Sequence, residues 1–160
     1  MSKNTFETAK IGRRQMLRGV GLGALALGGA GLASGEAQAS PEKAAAHLAK
    51  MTGGAEMKEG KVTVKLPEIA ENGRTVPITI AVDSPMSDGD YVKSVHVVAE
   101  GNPTPEVVSF NMSPAMGKAE VSTRMRLAKT QNVTAAAVMS DGSVYRGTAN
   151  VKVTIGGCGG

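Results

Sequence analysis

Rings are scarce in this chain: 160 residues contain two Tyr, two Phe and no Trp. Any core must therefore be filled by aliphatic side chains, and a hydrophobic content of 41% is enough for a globular one. Cysteine occurs once, so no disulfide closes within the chain and the Cys–Trp–Cys signature of antibody-type domains is missing. The two histidines, His47 and His96, lie far in sequence from that cysteine and make no metal-ligand spacing. There is no phosphate loop, no Ser/His/Asp arrangement and no dinucleotide fingerprint. The apolar run from Val20 to Leu32 is 13 residues long, whereas crossing a bilayer takes about 20.

The charge balance is uneven along the chain. Residues 1–39 carry Lys3, Lys10, Arg13, Arg14 and Arg18 against Glu7 and Glu36, a net +3 of the total +4. The remaining residues hold 13 Lys/Arg against 12 Asp/Glu, which leaves no electrostatic footprint for nucleic acid. The basic start, the apolar run and Ala37-Gln38-Ala39 together read as a secretory leader cut before Ser40, with no stable membrane anchor left behind. The pair Arg13-Arg14 ahead of a weakly hydrophobic, Gly-rich stretch resembles the twin-arginine export signal. An ordinary secretory signal with an incidental arginine pair, or an uncleaved amphipathic anchor, is the alternative. Twin-arginine export moves folded proteins. Since no cofactor motif occurs in the mature chain, a partner assembled before export is the expected reason to fold first.

After the leader, Ser40-Pro41-Glu42 predicts a short helix, with Ser as N-cap, Pro at the first position and an acid in the first turn. Gly53-Gly54 stops it. From there the hydrophobic period is two. Val62, Val64 and Leu66 alternate with polar residues, as do Val76, Ile78, Ile80 and Val82; Tyr91–Ala99 is a more continuous β-branched run. Further segments follow around Val108–Met112, Val121–Leu127, Val133–Met139 and Val144–Ile155, the last two joined by Asp141-Gly142. About seven strands with turn signals between them predict an all-β, immunoglobulin-like antiparallel sandwich over residues 40–155, preceded by the short helix.

The chain ends in Gly156-Gly157-Cys158-Gly159-Gly160, which leaves directly from the last strand. Four glycines give a thiol little surrounding structure, and chain ends are mobile unless tied down. Residues 156–160 thus read as a flexible arm, able to carry Cys158 about 10 Å beyond Ile155 when extended. An odd cysteine in an exported protein is either paired with another chain or reactive. No base lies near it in sequence, Lys152 being the closest cation, so Cys158 reads as an attachment point for a small adduct and not as a self-contained catalytic centre. Two rivals stand beside that reading: an interaction module whose Cys158 makes only an interchain disulfide, and a copper or persulfide-relay protein. The seven methionines left after Met1 and Met16 are scattered through strands and turns, as flexible core filler would be. Asp88-Gly89-Asp90 lacks the further ligands of a calcium loop.

The combination of leader, alternating-strand body and terminal Gly-Gly-Cys-Gly-Gly resembles the SoxY family of thiosulfate-oxidation carrier proteins. The likeness extends to Leu66-Pro67-Glu68-Ile69-Ala70-Glu71-Asn72-Gly73, Asn102-Pro103-Thr104-Pro105 and Arg126-Leu127-Ala128-Lys129-Thr130-Gln131. The resemblance implies a periplasmic, non-enzymatic carrier whose Cys158 bears thiosulfonate and persulfide intermediates covalently. It implies a tight heterodimer with SoxZ, co-exported with it, and transient visits to SoxAX, SoxB and, where present, SoxCD. Haem and manganese would then reside in those enzymes, with no cofactor or metal bound by this chain.

Overall fold

Residues 39–157 are described by the structure, a computed structural model. The leader with Arg13 and Arg14, and the terminal Cys158, Gly159 and Gly160, lie outside the described residues.

The first element is helix α1 (Pro41–Met51). Ser40, in extended conformation, caps it by accepting the Lys43 amide at 3.2 Å, and Thr52 closes the far end through the Leu48 carbonyl. Gly53 and Gly54 follow with φ of 70° and 75°, a left-handed pair that turns the chain out of the helix. Ala44 and Leu48 make its apolar stripe, which lies on Val98, Ala136 and Val144 as a small second core.

Nine strands follow: β1 (Met57–Glu59), β2 (Val62–Lys65), β3 (Ile69–Asn72), β4 (Val76–Val82), β5 (Val92–Ala99), β6 (Glu106–Asn111), β7 (Glu120–Met125), β8 (Gln131–Met139) and β9 (Val144–Ile155). The larger sheet runs β1-β9-β8-β5-β6, with β3 also on β9; the smaller runs β2-β4-β7. The seven segments expected from alternation are all strands. The two others, β1 and β3, pair parallel to β9, Met57 opposite Val144 and Ile69 opposite Lys152. Both are too short for a period to register in sequence, and both follow β9 in parallel where an antiparallel sandwich was expected.

The core between the sheets is aliphatic. Val76, Ile78 and Ile80 of β4 pack in one cluster with Val95 and Val97 of β5, Val133 and Ala135 of β8, and Val151 of β9, all 0–1% exposed. Each such Val or Ile contributes about 1.5–3 kcal/mol of burial. On β7 the polar residues Glu120, Ser122 and Arg124 face out.

The two long sides of the sandwich differ. On one side the chain itself changes sheets: β1 runs beside β9, turns at Gly60 (φ 98°) and Lys61 (φ 55°), and enters the smaller sheet as β2. Gly147 of β9 accommodates this crossing, because a Cβ there would stand 2.3 Å from the Val62 carbonyl oxygen. On the opposite side β6 and β7 border their sheets without pairing to each other.

Candidate functional site at the C-terminal joint

Three segments meet where β9 ends. The Gly73 amide donates to the Ile155 carbonyl at 2.8 Å, the Leu127 amide to the Gly73 carbonyl at 2.8 Å, and the Gly157 amide to the Leu127 carbonyl at 2.9 Å. The chain leaving β9 is thus hydrogen-bonded to the loop after β3 in its own sheet and, through Leu127, to the loop after β7 in the other. Leu127 is fully buried and anchors that second loop in the core.

The glycines here are set by space. A Cβ on Gly73 would lie 2.2 Å from the Leu127 carbonyl oxygen, one on Gly156 would lie 2.3 Å from the Ala128 carbonyl oxygen, and one on Gly157 would lie 2.4 Å from the Gly73 carbonyl oxygen. Real side chains do not fit such gaps, so backbone approaches backbone only because all three are glycine. Gly157, read from the sequence as part of the flexible arm, is buried and hydrogen-bonded to Leu127, whereas Gly156 is exposed with its backbone close to the Ala128 carbonyl. The expectation counted free reach from Ile155; the described chain is held to the body through Gly157.

Asn102 braces the joint. Its Nδ2 donates to the Arg126 carbonyl at 2.9 Å, and its Oδ1 accepts from the Ala128 amide and from Gln131 Nε2, both at 3.0 Å. Gln131 in turn accepts the Gly101 amide at 2.6 Å. Asn72 does the same for the other loop, its Oδ1 accepting the Arg74 amide at 2.9 Å and so shaping the turn that carries Gly73.

Beside the joint, between the unpaired edges of β6 and β7, opens a cleft of about 480 Å³. Arg74, Arg124 and Arg126 line it together with Thr75, Asn102 and Thr123, over an apolar part made by Val107, Val108 and Met125. Glu106 is the lone acid on its wall, and its Oε2 lies 3.1 Å from His47 Nε2. Sequence alternation placed Arg124 and Arg126 on a polar face, but nothing in it signalled that Arg74, 50 positions before Arg124, joins them.

Other residues singled out in sequence have structural places. His96 lies between two hydroxyls, Ser94 Oγ 3.0 Å from Nε2 and Ser109 Oγ 2.9 Å from Nδ1. Burial holds its pKa below the usual imidazole value, with the nearby Glu106 carboxylate pulling weakly the other way. Met86, Met112, Met125 and Met139 are buried in the core. Among the described residues no three His, Cys, Asp or Glu side chains come together as a metal site, and no helix is long and apolar enough to cross a membrane.

Comparison with known proteins accords with this layout. The family described as "Sulfur oxidation protein SoxY" matches residues 48–158, from within α1 to the terminal cysteine. The sulfur carrier protein SoxY from Chlorobium limicola f thiosulfatophilum is 38% identical, with 72% of this chain and 100% of that chain covered at a TM-score of 0.61. A superoxide reductase (neelaredoxin) from Ignicoccus hospitalis shares the sandwich at 15% identity and a TM-score of 0.53, covering 75% of this chain and 98% of that one; this is a likeness of fold alone. Among curated proteins none matches. The family match over most of the chain, together with the full-length likeness to a solved relative, shows that the chain belongs to the SoxY family of sulfur oxidation proteins.

Proposed function

We propose that this protein is a periplasmic sulfur-substrate carrier that holds its cargo covalently on Cys158. The observation carrying the reading is that the family match reaches residue 158 and ends there, on the chain's single cysteine. The joint at Gly73, Leu127 and Gly157 adds a physical reason: it fixes the backbone at a defined point, one residue before that thiol. The likeness to a SoxY sulfur carrier protein gives the cargo class.

The chemistry is compact. The Cys158 thiolate and thiosulfate join through a new S–S bond, releasing two electrons to a haem-containing partner and leaving Cys–S–S–SO3⁻. Water then cleaves the S–SO3⁻ bond, giving sulfate and a cysteine persulfide. The carrier supplies the sulfur atom and its presentation; haem and manganese chemistry belongs to SoxAX and SoxB, with SoxCD acting on the persulfide where present. A tight pairing with SoxZ and shared twin-arginine export through Arg13 and Arg14 complete the proposal.

Intact-mass measurement during reconstituted thiosulfate oxidation tests it. Sulfur and thiosulfonate additions on the C-terminal peptide, lost in Cys158→Ser together with turnover, are expected. An unmodified cysteine, or an unchanging interchain disulfide while thiosulfate is consumed, would overturn the reading in favour of a plain interaction module.

A further inference from the structure

We infer that the open edge of β7 is a pairing surface for a second copy of this chain, whose own β7 lies antiparallel to it. Glu120 of each copy then faces Arg124 of the other, and the two smaller sheets join into one.

Strand edges with unused amides and carbonyls take up further strands unless something blocks them. Most edges of this sandwich are blocked. β2 is closed off where it crosses Gly147 of β9. β4 runs past the end of β2 at residues 76–78, and there Pro77 has no amide to offer. β6 follows Pro103 and Pro105, and a bulge at Val97/Val98 breaks its register on β5. β1 and β3 have only three and four residues. By contrast, β7 has six residues in unbroken register on β4, without proline or bulge.

The direction of the backbone groups selects the register. The Val82 amide donates to the Ala119 carbonyl at 2.8 Å, so in this ladder Ala119, Val121, Thr123 and Met125 turn their backbone groups toward β4. The amides and carbonyls of Glu120, Ser122 and Arg124 therefore point along the open edge. A twofold axis at Ser122 is the placement that pairs all of these with one another, Ser122 opposite Ser122 and Glu120 opposite Arg124. Up to about six interchain hydrogen bonds then form, and any shift of the axis loses some of them past the strand ends. Charge agrees with that register. Glu120 and Arg124 are exposed on the outer face, and among the described residues Arg124 has no ion-pair partner. Lys118, which bridges Glu120 at 2.7 Å, meets Arg126 of the other copy only beyond the strands. The seam is short, so the dimer dissociates on dilution.

The test follows sedimentation equilibrium of the chain carrying Cys158→Ser, in which no disulfide can join copies. A reversible monomer–dimer equilibrium is expected, weaker in high salt. Glu120→Arg and Arg124→Glu each set like charges across the seam and should weaken it at least about tenfold. Mixing these two variants restores opposite charges at both pairs, so a one-to-one complex should return at close to the original strength. Ser122→Pro removes the amide at the axis, which β4 does not use; the dimer should be lost while circular dichroism and melting of the single chain stay native-like. A monomer at every concentration, association indifferent to these substitutions, or mixed variants that fail to re-associate would overturn the inference. So would an effect confined to binding of a different protein, which would assign the edge to a strand of that partner.

Discussion

Gly157 lies with its backbone directly on that of Gly73: a Cβ on either would come within 2.5 Å of a backbone atom of the other. This contact, and the hydrogen bonds around it, decide how the C-terminus leaves the sandwich.

Adding one methyl group there is the sharpest perturbation available. Gly157→Ala and Gly73→Ala should each destabilise the chain by about 1–3 kcal/mol, the usual cost of overpacking. Equilibrium denaturation measures the loss, and hydrogen exchange at the Leu127 and residue-157 amides localises it. A chain that keeps its stability and amide protection with alanine at 157 would show that the joint opens without cost.

Asn102 makes three hydrogen bonds with backbone and side-chain partners. Asn102→Ala leaves the Ala128 amide and the Arg126 carbonyl without it, and a loss of about 1–3 kcal/mol is expected. Because the same side chain steadies the Leu127 carbonyl, exchange at Gly157 should rise more than exchange in β5. Uniform acceleration across both sites would instead mark Asn102 as a general stabiliser.

His96 makes stability pH-dependent with a definite sign. Its folded pKa lies below the ordinary value, so between the two the unfolded chain binds more protons and folding weakens as pH falls. Its contribution is complete above the ordinary imidazole pKa and is lost as pH drops through the depressed one. Thermal melts from pH ~7.5 to ~5 should show a decline that His96→Gln flattens. An identical slope in that variant would assign the dependence elsewhere.

Gly147 tests the closed side of the sandwich. With Val62 crossing 2.3 Å from where a Cβ would stand, Gly147→Val should prevent β2 from taking its register on β4 and cost at least about 3 kcal/mol. Soluble, native-like protein with unchanged melting would mean that the crossing relaxes easily.

Much of this architecture is legible in sequence because burial writes a clear period. Val76, Ile78, Ile80 and Val82 all alternate with less buried neighbours, as the pattern requires, and Ser40-Pro41 marks the start of α1. The short parallel strands were hidden: Ile69-Ala70-Glu71-Asn72 is four residues with one of them buried, and its partner lies some 80 positions away in β9. The terminal glycines illustrate a deeper ambiguity. Glycine serves both where a chain must bend freely and where it must fit closely, and sequence does not separate the two. At Gly156 and Gly157 only the neighbouring carbonyls of Ala128 and Gly73 reveal the second use. The arginine cleft escaped for a related reason, since Arg74 and Arg126 become neighbours through the loops joined at Leu127.

The parallel pairing of β3 with β9 also sets how the terminus bears load. A partner that grips the end and draws it outward along the strand pulls across the bonds from Lys152 to Glu68, Gly73 to Ile155 and Gly157 to Leu127, which resist together in shear. Tension applied there is shared by both sheets before any strand can peel, so under the proposed carrier role a pull on the terminus need not fray the sandwich that supports it.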